Sequence, residues 1–171
     1  MLRIHSFPPI AEQGAQVLIL GSMPGIESLR QGEYYAHPRN YFWRLMGMLF
    51  EFNPAMPYAE RVQALISCRV AVWDVLQSCS RQGSLDADID KSSIVPNDFQ
   101  AFFARNANIT HVFFNGSAAE QIYRSKVLPT LDAHQPEYTR LPSTSPANAS
   151  IALERKLEAW RAVSMLTVKD F

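Results

Sequence analysis

Cysteine is nearly absent: Cys68 and Cys79 are the only two in 171 residues, too few for a disulfide framework. Alone they also exclude a four-cysteine zinc site or an iron–sulfur cluster, and they read as reduced residues in or near the core. The four histidines are scattered, with no Asp, Glu or Cys at ligand spacing, so neither a metal nor a cofactor is expected. An excess of either charge is lacking too. Sixteen Lys+Arg against 16 Asp+Glu give a formal charge of zero and a pI near 6.9, which excludes a polybasic coat or an acidic tail and weighs against an extensive nucleic-acid footprint. No apolar run approaches the ~18 residues of a membrane span. Pro8-Pro9 stands where a signal peptide would need its apolar stretch. The expectation is a soluble, cytoplasmic monomer with no membrane partner.

What is present is globular: 47% hydrophobic and 19% charged residues, without repeats, low-complexity tracts or a linker. One domain is expected over residues 1–171, long enough to bury roughly 70% of its unfolded surface. The apolar run Gln16-Val17-Leu18-Ile19-Leu20, closed by Gly21, predicts a buried strand and a sharp turn. Arg69-Val70-Ala71-Val72-Trp73 and Thr110-His111-Val112-Phe113-Phe114 predict two more, and residues 138–141 a short fourth. Between them the period becomes helical. Phe42, Leu45, Met46 and Leu49 make one apolar stripe, and Tyr58, Val62, Leu65 and Ile66 a second. Phe99, Phe102 and Phe103 follow the cap candidates Asn97 and Asp98, Ser117 and Glu120 have capping-box spacing, and Leu153, Leu157, Trp160 and Val163 form a final stripe. Alternating strands and helices predict an α/β fold, a three-layer α/β/α sandwich on a short, mainly parallel four-stranded sheet. Ligands of such sheets bind beyond the carboxyl ends of the strands, which singles out the loops from Gly21, Asp74 and Asn115.

Three segments carry candidate chemistry. Gly21-Ser22-Met23-Pro24-Gly25 lets backbone amides approach a ligand closely. It is not a phosphate loop, a dinucleotide fingerprint or a hydrolase nucleophile elbow. Tyr34-Tyr35-Ala36-His37-Pro38-Arg39-Asn40-Tyr41-Phe42-Trp43 gathers aromatic faces, a cation and an amide ahead of a helix. Such faces hold unstacked bases at about 1–3 kcal/mol each. Phe42 reads as core, whereas Tyr34, Tyr35 and Asn40 precede the helix and are harder to assign to a core. Leu141-Pro142-Ser143-Thr144-Ser145-Pro146 offers hydroxyls and amides at a helix start, a phosphate seat that needs little net charge.

In that order, over residues 17–160, these segments resemble the uracil-DNA glycosylase superfamily, and its hypoxanthine-DNA (deoxyinosine) glycosylase branch above all. Residues 21–25 are similar to the superfamily's first motif. The pattern His37-Pro38-x-Asn40-x-Phe42-Trp43 is similar to a stretch of mismatch-specific glycosylases, and residues 141–145 to the second motif, which enters the DNA minor groove. Asp74 falls where many relatives place a base-reading amide. Two departures matter. Met23 stands where many relatives carry a water-activating Asp or Asn, and Leu141 where several carry His.

The resemblance implies a monofunctional glycosylase of base excision repair, acting on double-stranded DNA that contains a deaminated base and leaving an abasic site. It assigns Asn40 to the attacking water. Ser22, Met23, Tyr35, Asp74 and Asn115 are its candidates for the flipped base, with Asp74, if ionised, accepting a ring N–H. Arg39, Leu141, Pro142, Ser143, Thr144 and Ser145 are candidates for DNA contact, with Arg140 a further phosphate candidate. His37 reads as structural. Lys91, Lys126, Lys156 and Lys169 lie outside every motif, which disfavours a Schiff-base lyase. Three rival readings are excision of uracil or mismatched thymine on the same fold, a DNA-binding protein without turnover, and a nucleotide-binding module.

Overall fold

A computed structural model describes residues 2–132 and 135–167. Lys169 lies outside them. At its centre are four strands, β2 (Val17–Gly21), β3 (Val70–Asp74), β6 (His111–Asn115) and β7 (Glu137–Leu141), in the order β3-β2-β6-β7 and parallel throughout. The four expected strands are there. The sheet is fully parallel, as expected of near-continuous apolar runs covered on both faces.

Side-chain alternation along these strands builds two cores. Val17, Ile19, Val70, Val72 and Phe113 face one layer, where Phe42, Leu45 and Met46 of α2 (Phe42–Phe50), Leu65 of α3 (Tyr58–Ser67) and Trp160 and Val163 of α6 (Leu153–Met165) pack. Leu18, Leu20, Ala71, Trp73, Val112 and Phe114 face the other, against Phe99 and Phe102 of α4 (Phe99–Arg105) and Ala119 of α5 (Ser117–Ile122), with Tyr123 just beyond it. This is the three-layer sandwich expected from the sequence. Asp98 caps α4 by accepting from the Ala101 amide at 3.0 Å. The capping box expected at Ser117 does not form. Gly116, at φ +97°, is the N-cap, and Glu120 turns outward to Arg124 and Arg140. A glycine suits that backbone, and a Cβ there would also press on the Ser143 Cβ at 3.0 Å.

A second sheet is not foreshadowed by any apolar pattern. β1 (Arg3–His5), β4 (Leu76–Ser80) and β5 (Val95–Pro96) form an antiparallel β1-β4-β5 ribbon. Val75 is the only residue between β3 and β4, and the Val75 and Leu76 amides donate to the carbonyls of Gly21 and Ser22 at 2.8 and 3.1 Å. The ribbon thereby hangs from the carboxyl end of the parallel sheet and sends residues 81–94 across its mouth. Cys79 is buried and Cys68 half-buried, neither in a disulfide. Among the described residues, no helix is long and apolar enough to cross a membrane.

Candidate active site

The carboxyl ends of β2, β3 and β6 open into a cavity of about 120 Å³. That is well below the ~300 Å³ at which ordinary ligand pockets begin, so it suits one small ring system. Ser22, Met23, Tyr35, Asn40, Asp74, Asn115, Ser143, Thr144 and Ser145, brought from five separate stretches of chain, all line it.

Asp74 closes β3 directly opposite Gly21 of β2. It is only 3% exposed, and its Oδ2 is buried without a hydrogen-bond partner. Burial, and then the negative charge of Asp86, push its carboxyl up to about 7, with the Arg81 guanidinium pulling the other way. The approach of Asp74 to β2 requires a glycine at position 21. A Cβ there would overlap Asp74 Oδ1 and lie 3.0 Å from the Tyr35 hydroxyl.

Tyr35 occupies the left-handed region at φ +55°, so the chain reverses between it and Tyr34. Its ring stacks on Phe42 at 4.1 Å between centroids. Its hydroxyl is buried with no partner of hydrogen-bond geometry, although Asn115 is close enough to offset part of the burial that raises its pKa. Tyr34, by contrast, is core: its hydroxyl donates to Pro8 O at 2.9 Å, and its carbonyl accepts from Trp43 Nε1 at 2.8 Å. The sequence expectation that Tyr34 was hard to place in a core is thus corrected by the N-terminal segment packing over it.

Asn40 sits at the entrance to α2, its Oδ1 accepting from the Phe42 amide at 2.9 Å. That carbonyl oxygen keeps a second lone pair, and the amide nitrogen keeps its donors. His37 accepts from the Arg39 amide through Nδ1 at 3.1 Å and also lines the cavity. The Tyr41 amide then donates to Thr144 O at 3.0 Å, joining the aromatic segment to the loop after β7.

That loop is held from behind. Asn115 Nδ2 donates to Thr144 Oγ1 and the Thr144 amide donates to Asn115 Oδ1, each at 2.9 Å. Trp160 Nε1 donates to Pro142 O, and Lys156 Nζ to Asn148 O, both at 2.9 Å. Lys156 is completely covered, which lowers its ammonium pKa, and it lies over the Tyr41 ring at 5.3 Å. It is a brace for the loop and lines no part of the cavity. Leu141, a DNA-contact candidate, borders the outer groove beside the cavity but buries its side chain in the α2/α6 core, which anchors the loop there. Thr144 is equally buried. Pro142, Ser143 and Ser145 border an outer groove with Arg140, next to the cavity. Arg39 is exposed and outside both.

Sequence reasoning missed the wall contributed by residues 81–86. Arg81 is buried, donating through Nε to Gly83 O at 2.9 Å and through Nη2 to Pro24 O, while its Nη1 meets no partner. Ser84 Oγ accepts from the Ile26 amide at 2.9 Å, and Ser22 Oγ donates to Asp86 Oδ1 at 2.5 Å. With its hydroxyl so engaged, Ser22 has its backbone to offer a ligand. Met23 packs its side chain against Leu76, Cys79 and Ile89, leaving it the same role.

Both the sequence and the fold match known proteins over most of the chain. The chain belongs to the uracil DNA glycosylase superfamily, whose model matches residues 8–164. It is 35% identical over 160 residues to a hypoxanthine DNA glycosylase of Methanosarcina acetivorans, covering 93% of this chain and 96% of that one. To a hypoxanthine DNA glycosylase of Methanosarcina barkeri it is 34% identical over 156 residues, covering 91% and 94%. A solution NMR structure of a candidate uracil DNA glycosylase from Methanosarcina acetivorans superposes with a TM-score of 0.79 at 34% identity, covering 95% of this chain and 97% of that one.

Proposed function

We propose that this protein is a monofunctional DNA glycosylase that takes a deaminated base, hypoxanthine before uracil or thymine, out of duplex DNA and hydrolyses its glycosidic bond. The observation that carries the reading is the cavity itself, sized for one ring system, with an unpartnered buried carboxyl on one side and Asn40 on another. The relatives named as hypoxanthine DNA glycosylases support the same base.

The target bond is hidden in the helical stack, so the nucleotide must rotate out, at a cost of a few kcal/mol that is least for a poorly paired base. In the cavity the base meets Tyr35, Asp74 and the backbone of Ser22 and Met23. As the bond from the sugar lengthens, its electron pair goes to the base and the sugar gains cationic character. Fixed dipoles at both ends then supply most of the acceleration. Asn40 holds a water with its free lone pair and amide donors. An amide is a poor base, yet an almost formed sugar cation needs only a positioned nucleophile. The water oxygen bonds to the anomeric carbon and loses a proton, the base departs protonated, and an abasic site remains. Ser143, Ser145 and Pro142 sit where backbone phosphates and the minor groove pass.

The protein acts on this reading as a monomer, in the cytoplasm and on the nucleoid. Duplexes carrying one hypoxanthine, uracil or mismatched thymine, incubated with the protein and then treated with alkali, test it. Cleavage greatest at hypoxanthine is expected. Release from uracil alone would move the substrate, and release from none would overturn the enzyme reading.

A further inference from the structure

Asp74 is placed unlike an ordinary charged aspartate. No donor meets its Oδ2, and it lines the cavity opposite Gly21 of β2. A buried carboxylate needs a cation or several donors to stay ionised. Among the described residues the cation acting on it is Arg81, whose Nε and Nη2 are turned to the carbonyls of Gly83 and Pro24, with Nη1 unpartnered. Asp86, at the mouth of the same cavity, adds like charge, and the hydroxyls of Tyr34 and Tyr35 on the facing segment are themselves held neutral by burial. His37 lines the rim.

Building on the glycosylase reading above, we propose that Asp74 acts as a neutral carboxylic acid, donating its O–H to the departing base while its carbonyl oxygen accepts the neighbouring ring N–H. A neutral carboxyl presents one donor beside one acceptor. Hydrolytic deamination turns the amidine edge of a base into a lactam, a ring N–H beside a carbonyl, which meets that pair with two parallel hydrogen bonds. The direction of charge flow favours the acid as well. When the glycosidic bond breaks, its electron pair spreads to the carbonyl oxygen of the base, where an ionised Asp74 would repel it and a protonated one shares its proton. The water that attacks the sugar releases its proton to solvent, the base leaves with one proton, and Asp74 is reprotonated from solvent. This supplies the electrophilic contact that Leu141, standing where several relatives have His, cannot make. It also replaces the expectation from sequence that an ionised Asp74 accepts the ring N–H alone. The raised carboxyl pKa described above agrees with this assignment.

The test compares single-turnover excision from a hypoxanthine duplex between pH 5.5 and 9 for the unaltered protein, Asp74→Asn and Asp74→Leu. The unaltered protein should lose about tenfold in rate for each pH step of one above about 7, the signature of an essential group that must be protonated. Asparagine keeps a donor beside an acceptor but does not titrate, so its profile should lack that fall. Leucine should lower the rate about 100-fold or more at every pH, as expected when a pre-organised donor is removed, while duplex binding persists. An infrared difference spectrum of the free proteins, unaltered minus Asp74→Asn, should show a protonated carboxyl band at pH 6 that fades by pH 9. A rate that rises through pH 7, an Asp74→Asn protein that keeps the fall in rate above pH 7, or a carboxylate band already present at pH 6 would each overturn the proposal while leaving the glycosylase reading intact. Release of no base from any duplex would instead overturn the glycosylase reading, and this proposal with it.

Discussion

Asn115 and Thr144 hold each other twice, side-chain amide to hydroxyl and backbone amide to side-chain carbonyl, each at 2.9 Å. The pair ties the end of β6 to the loop after β7 and fixes one wall of the cavity.

Asn115→Ala should therefore act first on the loop. Leaving the buried Thr144 amide and hydroxyl unsatisfied should cost about 1–3 kcal/mol of stability, measured by urea denaturation. Excision should fall by a larger factor than stability alone explains. A variant that unfolds at the unaltered urea midpoint would show that the clasp contributes nothing.

Asn40→Ala should remove two things. The amide of Phe42 loses its acceptor, at a cost near 1 kcal/mol in denaturation. Excision should drop by roughly 100-fold or more with duplex affinity preserved. Asn40→Asp keeps an acceptor for the Phe42 amide, so comparing the two by denaturation and by single-turnover rate separates the structural share from the chemical one.

Gly21→Ala should place a methyl in the cavity wall, where Asp74 Oδ1 and the Tyr35 hydroxyl already crowd. Excision should be nearly abolished. Stability should fall by the 1–3 kcal/mol typical of overpacking, read from the same denaturation curves. Full activity would mean that the base does not enter here.

Asp74 also makes stability depend on pH. The folded protein holds a proton on Asp74 up to about pH 7, whereas the unfolded chain releases it in the usual carboxylate range near 4. Folding thus takes up a proton between those limits. The folded state is favoured most below them and loses of order 4 kcal/mol as pH rises to 7, at ~1.4 kcal/mol for each tenfold change. Urea midpoints at pH 5 and 8 should differ more for the unaltered protein than for Asp74→Asn.

The neutral composition becomes a prediction about salt. Arg30 is paired with Glu27, and Arg140 with Glu120 at 3.6 Å, leaving Arg39 and Arg44 among the exposed cations near the site's segments. The slope of log affinity against log salt should be about −2 to −4, corresponding to 2–4 neutralised phosphates at ~0.9 each. A slope near −8, from fluorescence anisotropy at several salt concentrations, would require a basic face larger than these residues can make.

The parallel sheet and most of the cavity could be read in the sequence because their signals are local. Apolar runs end in Gly21, Asp74 and Asn115, and strand ends of such sheets are where ligands bind. Arg81, Ser84 and Asp86 could not be read. β4 is the polar run Leu-Gln-Ser-Cys-Ser, β1 and β5 have three and two residues, and the segment between carries no period. Its position follows from contacts such as Ser22 to Asp86, 64 residues apart, which only the folded chain makes. The burial of the Leu141 and Tyr34 side chains could not be read for a related reason: motif position marks a loop's location but not which of its side chains turn inward.

The brace from α6 has a consequence for synthesis. Trp160 and Lys156 hold Pro142 and Asn148 from the last described helix, so the second-motif loop lacks this brace, and is held at its back by the Asn115 clasp, until that helix has left the ribosome and docked. The parallel pairings β2–β6 and β6–β7 likewise join distant stretches of chain, a topology that folds slowly because loop closure precedes any gain from contact. A nascent chain can therefore bury its first strands while the loop beside the cavity is still unbraced from behind.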